Sequence, residues 1–185
     1  MWYLPKIVGD LSFDIYPHQC KQDLLDKLPA RLRGYAAWLP ADWRVIVIVD
    51  RDDDPCNQLK ESLEGIARQA GLRTRTQHRG PRTQLVNRLA IEELEAWFFG
   101  DWEAVRAAYP RVNPNLPAKQ GYRDPDAIAG GTWEALERTL RRSGYFRTGL
   151  RKIEASRTIA QHMDPQRNHS RSFQSFRDVL GEMAT

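Results

Sequence analysis

Residues 44–55 read Arg44-Val45-Ile46-Val47-Ile48-Val49-Asp50-Arg51-Asp52-Asp53-Asp54-Pro55. Five β-branched aliphatic residues in a row run into four carboxylates within five positions. An apolar run with no polar alternation predicts a strand covered on both faces, as in a parallel sheet flanked by helices. Carboxylates just past the C-terminal end of such a strand stand where open α/β sheets bind ligands. Like charges this close repel one another, and a bound cation relieves that repulsion. The stretch therefore sets both the expected fold class, α/β with a mostly parallel sheet, and the expected chemistry, which is metal-dependent.

The flanking sequence extends this pattern. Asp54 followed by Pro55 predicts an N-cap and a first-turn proline. The helix they open has Leu59, Leu63, Ile66, Ala67 and Ala70 as its apolar face, and Gly71 ends it. Strands are expected over 72–77 and 84–90, giving a strand-helix-strand unit and hence parallel pairing. Upstream, the alternation over 11–16 predicts a half-buried strand closed by Pro17. Leu24, Leu25, Leu28 and Leu32 follow helical spacing, with a break expected at Pro29. Downstream, 91–99 reads as helical and Asp101 as the cap of a helix over 102–109. The proline- and glycine-rich stretch 110–131 reads as a long irregular connection. Thr132 is expected to cap a helix reaching about 143. Further helices are expected over 150–162 and 172–183, the last with Phe173, Phe176, Val179 and Leu180 on one face. The expected organisation is an α/β core over 1–109 and a helical C-terminal region over 110–185 packed on the same domain.

Composition narrows the function classes. A chain of 185 residues with 41% hydrophobic and 28% charged residues is in the range of a globular protein of one domain. No apolar run approaches a membrane span, and the N-terminus has no signal-peptide pattern, so neither membrane insertion nor export is expected. Cys20 and Cys56 lack ligand-type spacing, and a reduced cytoplasmic setting follows. The four histidines form no HxxxH or HxH pair, which argues against zinc, and there is no Walker loop or G-x-S-x-G elbow.

Three constellations can carry chemistry. In an extended chain residues two apart point the same way, so Asp50 and Asp52 are expected to aim at one ion, with Asp54 beside them. Carboxylates without His or Cys favour Mg²⁺ or Mn²⁺. The run Asn87-Arg88-Leu89-Ala90-Ile91-Glu92-Glu93-Leu94-Glu95 starts a helix after a strand. A glutamate there can complete a two-metal site or orient water, Glu92 and Glu95 as ligands and Glu93 as the catalytic candidate. The competing reading is first-turn acids placed by the helix dipole. Between Arg138 and Lys152 lie six cations and no acid, and the net charge is +4. Arg141, Arg142, Arg147 and Arg151 suit phosphate contacts, with a solvated helix face as the plain alternative. Lys152 can stabilise the charge that builds on a phosphodiester in the transition state.

The run from Val45 to Asp54, together with Asn87-Arg88-Leu89-Ala90-Ile91-Glu92-Glu93-Leu94-Glu95-Ala96-Trp97-Phe98, Gly131-Thr132-Trp133-Glu134 and Arg151-Lys152-Ile153-Glu154, resembles the bacterial domain-of-unknown-function family 4276 over nearly the whole chain. That family is similar to the Toprim fold of topoisomerases, primases and OLD-type nucleases. The resemblance implies that Asp50 and Asp52 form an Asp-x-Asp metal pair. It also implies a later acidic ligand from the Glu92/Glu93/Glu95 group and Lys152 as the lysine of OLD-type sites. Family members are often encoded beside AAA or SMC-like ATPases, which implies such a partner and a role in antiphage defence or repair. A Toprim domain opens with a strand bearing a glutamate, whereas the first ten residues here contain none. A start upstream of Met1, supplying that strand, is the expectation this departure raises.

Two readings follow. The first is a Mg²⁺-dependent Toprim-like nuclease acting on nucleic acid, DNA favoured, with an ATPase partner. The alternative is a catalytically inactive Toprim-like subunit that binds nucleic acid or the ATPase. A homodimer is among the assemblies the sequence leaves open.

Overall fold

The computed structural model describes residues 5–52, 54–78, 80, 82–91, 93–149 and 151–184. Glu92, expected among the metal ligands, and Asp53 therefore lie outside the described residues. The order of elements is α1 (Pro5–Val8), α2 (Lys21–Trp38), β1 (Val45–Asp50), α3 (Cys56–Gln69), β2 (Leu85–Ala90), α4 (Ala96–Gly100), α5 (Trp102–Ala108), α6 (Thr132–Arg142), α7 (Lys152–His162) and α8 (Arg171–Ala184). Short 3-10 turns occupy part of the stretch between α5 and α6. The fold is α/β: helices with a small parallel two-stranded sheet, β1 beside β2, among the described residues. Contacts divide the chain into two compact units, residues 12–89 and residues 1–11 with 90–184. The sequence boundary at 109/110 falls within the second of these.

In the 12–89 unit, Val47 and Val49 of β1 are buried with Leu28 and Leu32 of α2, Leu59, Leu63 and Ala67 of α3, Leu72, and Leu85 of β2. Both helices thus lie on the face of the sheet that presents Val45, Val47 and Val49. Ile46 and Ile48, on the opposite face, are half-buried. Pro29 lies inside an unbroken α2, contrary to the expected break. A mid-helix proline costs about 3 kcal/mol. Burying Leu28 and Leu32 on either side of it returns about 1.5–3 kcal/mol each. Packing therefore outweighs propensity here.

Two expected strands are absent. The 11–16 stretch pairs with no strand among the described residues, and Leu11, Phe13 and Ile15 remain about half exposed. Alternation predicts a strand only where another strand accepts its hydrogen bonds. The 72–77 strand shrinks to a single parallel bridge, Thr74 with Leu85. The amides of Gln77 and His78 both donate back to the Thr74 carbonyl and turn the chain away. Gly71 does end α3, at φ +83°.

The second unit is built on aromatic packing. Trp97 of α4 stacks on Phe176 at 5.2 Å and meets the edge of Phe173 at 5.3 Å, both on α8. Its indole N–H donates to Ser172 Oγ at 2.8 Å. Phe173, Phe176, Val179 and Leu180 are all buried, as their spacing predicts. Helical structure begins at Ala96 rather than at 91, so α4 is a single short element. Gly100 is required where it stands, because a Cβ there would lie 2.1 Å from Asn168 Oδ1 and 2.9 Å from the Ser170 backbone. Lys6 of α1 donates to the carbonyls of Gln161 and Met163 at 2.8 and 2.7 Å, satisfying acceptors at the C-terminal end of α7.

Candidate functional site

The acidic edge of β1 is the first site. Asp50 closes the strand on the Ile46/Ile48 face, with its Oδ1 shielded from solvent. The strand alternation stops there. Asp52 adopts φ +48°, a left-handed position that aspartate tolerates, and a turn closes from the Asp54 amide to the Arg51 carbonyl at 3.1 Å. The expectation that Asp50 and Asp52 project together relied on extended backbone that the chain does not keep. Asp52 converges instead with Asp54: their Oδ2 atoms lie 2.6 and 2.9 Å from one cation, the ammonium of Lys21 at the start of α2. Lys21 also donates to the Arg51 carbonyl at 3.1 Å.

Asp54 is thereby engaged as an ion-pair partner and not as the expected helix cap. Pro55 occupies the N-cap position of α3 and supplies no side-chain bond. Burial of Lys21 pulls its pKa down, but the hydrogen bonds and charges of Asp52 and Asp54 prevail, so the net shift is upward. Three oxygens around one cation are an all-oxygen donor set of the kind Mg²⁺ and Mn²⁺ take. An ion using them would have to replace the ammonium. No group of three or more His, Cys, Asp and Glu side chains placed to hold a metal occurs among the described residues. The fit therefore rests on two carboxylates and one backbone carbonyl.

The second site gathers motifs that lie far apart in sequence. Glu93 Oε2 accepts from Thr132 Oγ1 at 3.1 Å and from the Trp133 amide at 2.7 Å. It caps the N-terminus of α6 from outside the helix. Thr132 is the first residue of α6 rather than its cap, and Gly131, at φ +83°, fills the cap position. Lys152, the first residue of α7, places its ammonium 4.0 Å from the Trp133 ring centroid. Glu93 and Lys152, the two residues expected to be catalytic, thus meet at the backbone and the ring of Trp133. Glu95 lies half-buried just ahead of α4.

The expected nucleic-acid arginines fall at the end of α6 and in the following loop. Arg141 pairs with Glu137 at 3.7 Å, Arg142 and Arg147 are exposed, and Arg151 pairs with Glu154 at 3.0 Å. Arg111 joins them unforeseen. Its guanidinium lies 4.2 Å from the Tyr145 ring centroid, and its amide donates to the Tyr145 hydroxyl at 3.2 Å. Burial raises the pKa of that hydroxyl, but the hydrogen bonds and charge of Arg111 outweigh it and hold it below the usual value.

Sequence reasoning also missed three polar contacts that are buried or partly buried. Asp101 caps α5, as expected, but it is also 1% exposed and takes a two-pronged contact from Arg167 at 2.6 and 3.0 Å. Asp126 receives Ser170 Oγ, Ser172 Oγ and the Ser172 amide at the start of α8. In the other unit, Asn87 donates to the buried Glu64 at 2.8 Å. The only signal available was a polar residue interrupting an apolar pattern.

Fold and sites together define an α/β protein with a carboxylate-rich strand end in one unit and an arginine- and aromatic-rich surface in the other. The family described as "Domain of unknown function (DUF4276)" matches residues 2–183, and the chain belongs to that family. No curated protein and no solved structure matches the chain significantly.

Proposed function

We propose that this chain is a Toprim-like phosphodiesterase dependent on Mg²⁺ or Mn²⁺, a nuclease acting on DNA in the cytoplasm with an ATPase partner in defence or repair. The observation that carries the reading is the convergence of Asp52, Asp54 and the Arg51 carbonyl on one cation at the C-terminal end of β1. A divalent ion bound there supplies Lewis-acid stabilisation of a phosphoryl oxygen and lowers the pKa of bound water. Asp52 and Asp54 hold the ion, and Asp50 closes the strand beside them. Lys21 would yield these oxygens to an ion, and its charge would stay available to an incoming phosphate. In the second unit Lys152, Arg142 and Arg147 contribute positive charge for the polymer. Glu93 orders the start of α6 and, through it, the ring on which Lys152 rests.

The test is Mn²⁺-dependent cleavage of DNA by the purified chain with its ATPase partner. Asp50→Ala with Asp52→Ala is expected to abolish it, and undiminished cleavage by the double variant would overturn the reading. A second reading, a non-cleaving subunit that binds nucleic acid or the ATPase, draws on Lys21. An ammonium that already satisfies both carboxylates leaves them neutralised without metal. Titration calorimetry separates the two. Mg²⁺ or Mn²⁺ binding that Asp52→Asn removes supports the nuclease, and no heat of binding supports the subunit.

A further inference from the structure

We infer that the cleft between the C-terminal ends of α5 and α6 and the start of α7 binds single-stranded nucleic acid, with Phe146 stacking on an unpaired base and Arg147 and Arg151 taking the adjacent phosphates. The inference deepens the nucleic-acid part of the proposed function and rests on it. The cleft has a volume of about 680 Å³ and is lined by Tyr109, Tyr145, Phe146, Arg147, Arg151 and Glu154, among others. That volume falls within the range of clefts that take a drug-sized ligand, and the site is open to solvent.

Its aromatic floor is braced from within the same unit. Tyr109 meets Tyr145 at 4.9 Å and Phe146 at 5.6 Å, both edge to face, and Arg111 covers the Tyr145 ring. Phe146 itself has φ +51°, a conformation that costs a bulky L-residue about 1–2 kcal/mol. Glycines at 144 and 149 take the other left-handed positions of this loop, so the aromatic stands where the loop would be less strained with glycine. Held there, the half-buried ring lines the cleft with the Arg151 guanidinium 5.9 Å from its centroid. Arg147 is exposed, and Arg151 is 74% exposed although Glu154 pairs with it. Two cations, Arg147 and Arg151, line the cleft with one acid, Glu154, so its lining is positive overall.

A ring flanked by cations is the arrangement that recognises a base beside its phosphates. Duplex DNA hides its base faces in the stack and offers only groove edges and backbone, which are read by elements that enter a groove. This platform lies in a loop cleft, and a base reaches the Phe146 ring by taking the place of the Arg151 guanidinium, which lies 5.9 Å from the ring centroid, so the cleft distinguishes strands by whether a base is unstacked.

The experiment is fluorescence anisotropy of a labelled oligothymidylate and of a blunt duplex of equal length, in EDTA so that nothing is cut. The single strand is expected to bind at least about tenfold tighter than the duplex. Phe146→Ala should weaken single-strand binding about 5- to 150-fold, the loss of one stacked base. Phe146→Tyr, which keeps the ring, should stay close to the parent and shows that folding is not the cause. Arg147→Gln should lower the salt dependence by about 0.7 in the log–log slope for a single strand. Equal affinity for the two forms, or no effect of Phe146→Ala, overturns the inference. So does thymidine monophosphate competing as well as the strand, which would make the cleft a mononucleotide site. Mn²⁺-dependent cleavage of the duplex alongside equal binding would leave the nuclease reading standing while this one falls.

Discussion

Asp52 and Asp54 with Lys21 in one unit, and Asp101 with Arg167 in the other, are built from the same chemistry and do different work. Asp101 is fully buried, its two oxygens shared among Arg167, the Ala104 amide and the Asp164 amide. A carboxylate so enclosed cannot turn to water for a replacement of its cation, so the pair is fixed. Asp52 and Asp54 are about half exposed, 49% and 48%, and hold an ammonium at the C-terminal end of a strand. Water can replace what Lys21 provides, so the cation there is exchangeable. Burial, more than the identity of the charges, separates a structural ion pair from a site.

The comparison breaks most easily at its buried end. Arg167→Ala leaves the Asp101 charge buried with no cation and only two amide donors, and should cost about 3 kcal/mol, read as a lower urea midpoint. Lys21→Met should cost under about 1 kcal/mol in the same measurement. Equal losses would erase the distinction between the two clusters. Glu93→Ala removes an acceptor from Thr132 and Trp133 and should cost about 1 kcal/mol. Glu93→Gln keeps an acceptor and should lose less. Identical losses would assign the effect to the negative charge at the N-terminus of α6.

Lys21→Met is also expected to raise Mn²⁺ affinity by at least about fivefold, the equivalent of ~1 kcal/mol of competing charge. Unchanged affinity by calorimetry would mean that the ion does not use the oxygens Lys21 holds. The smallest effect is in pH. Lys21 has a pKa raised above 10.5, so its contribution is fully present below that value and is lost as pH rises through the higher folded-state pKa. Stability should therefore fall more as pH rises above 10.5 in the parent than in Lys21→Met, by a fraction of ~1 kcal/mol.

How far the sequence could be read depended on whether the determining interactions were local. The apolar run 45–49, the apolar face of α3, the Gly71 stop, the Asp101 cap and the buried face of α8 all follow from short-range periodicity and capping, and all appear where expected. The 11–16 and 72–77 stretches differ because a strand exists only through pairing, and pairing is not a property of the stretch itself. The same holds for the site. Clustered aspartates after a strand were legible at once. That Asp54 would turn from the α3 cap to Lys21 was not, because the partner lies more than thirty positions away on α2.

By itself, then, the sequence determined the α/β class, the central strand with its acidic end, and which residue types could meet a cation or a phosphate. Only the tertiary structure decided which of them meet. It joined Glu93 and Lys152 at Trp133, seated Lys21 on Asp52 and Asp54, and set Phe146 in a cleft with Arg147 and Arg151. The physical reason is one of range. Propensity, periodicity and capping act over a few residues, whereas an ion pair, a borrowed helix cap or a ring contact depends on where distant segments pack.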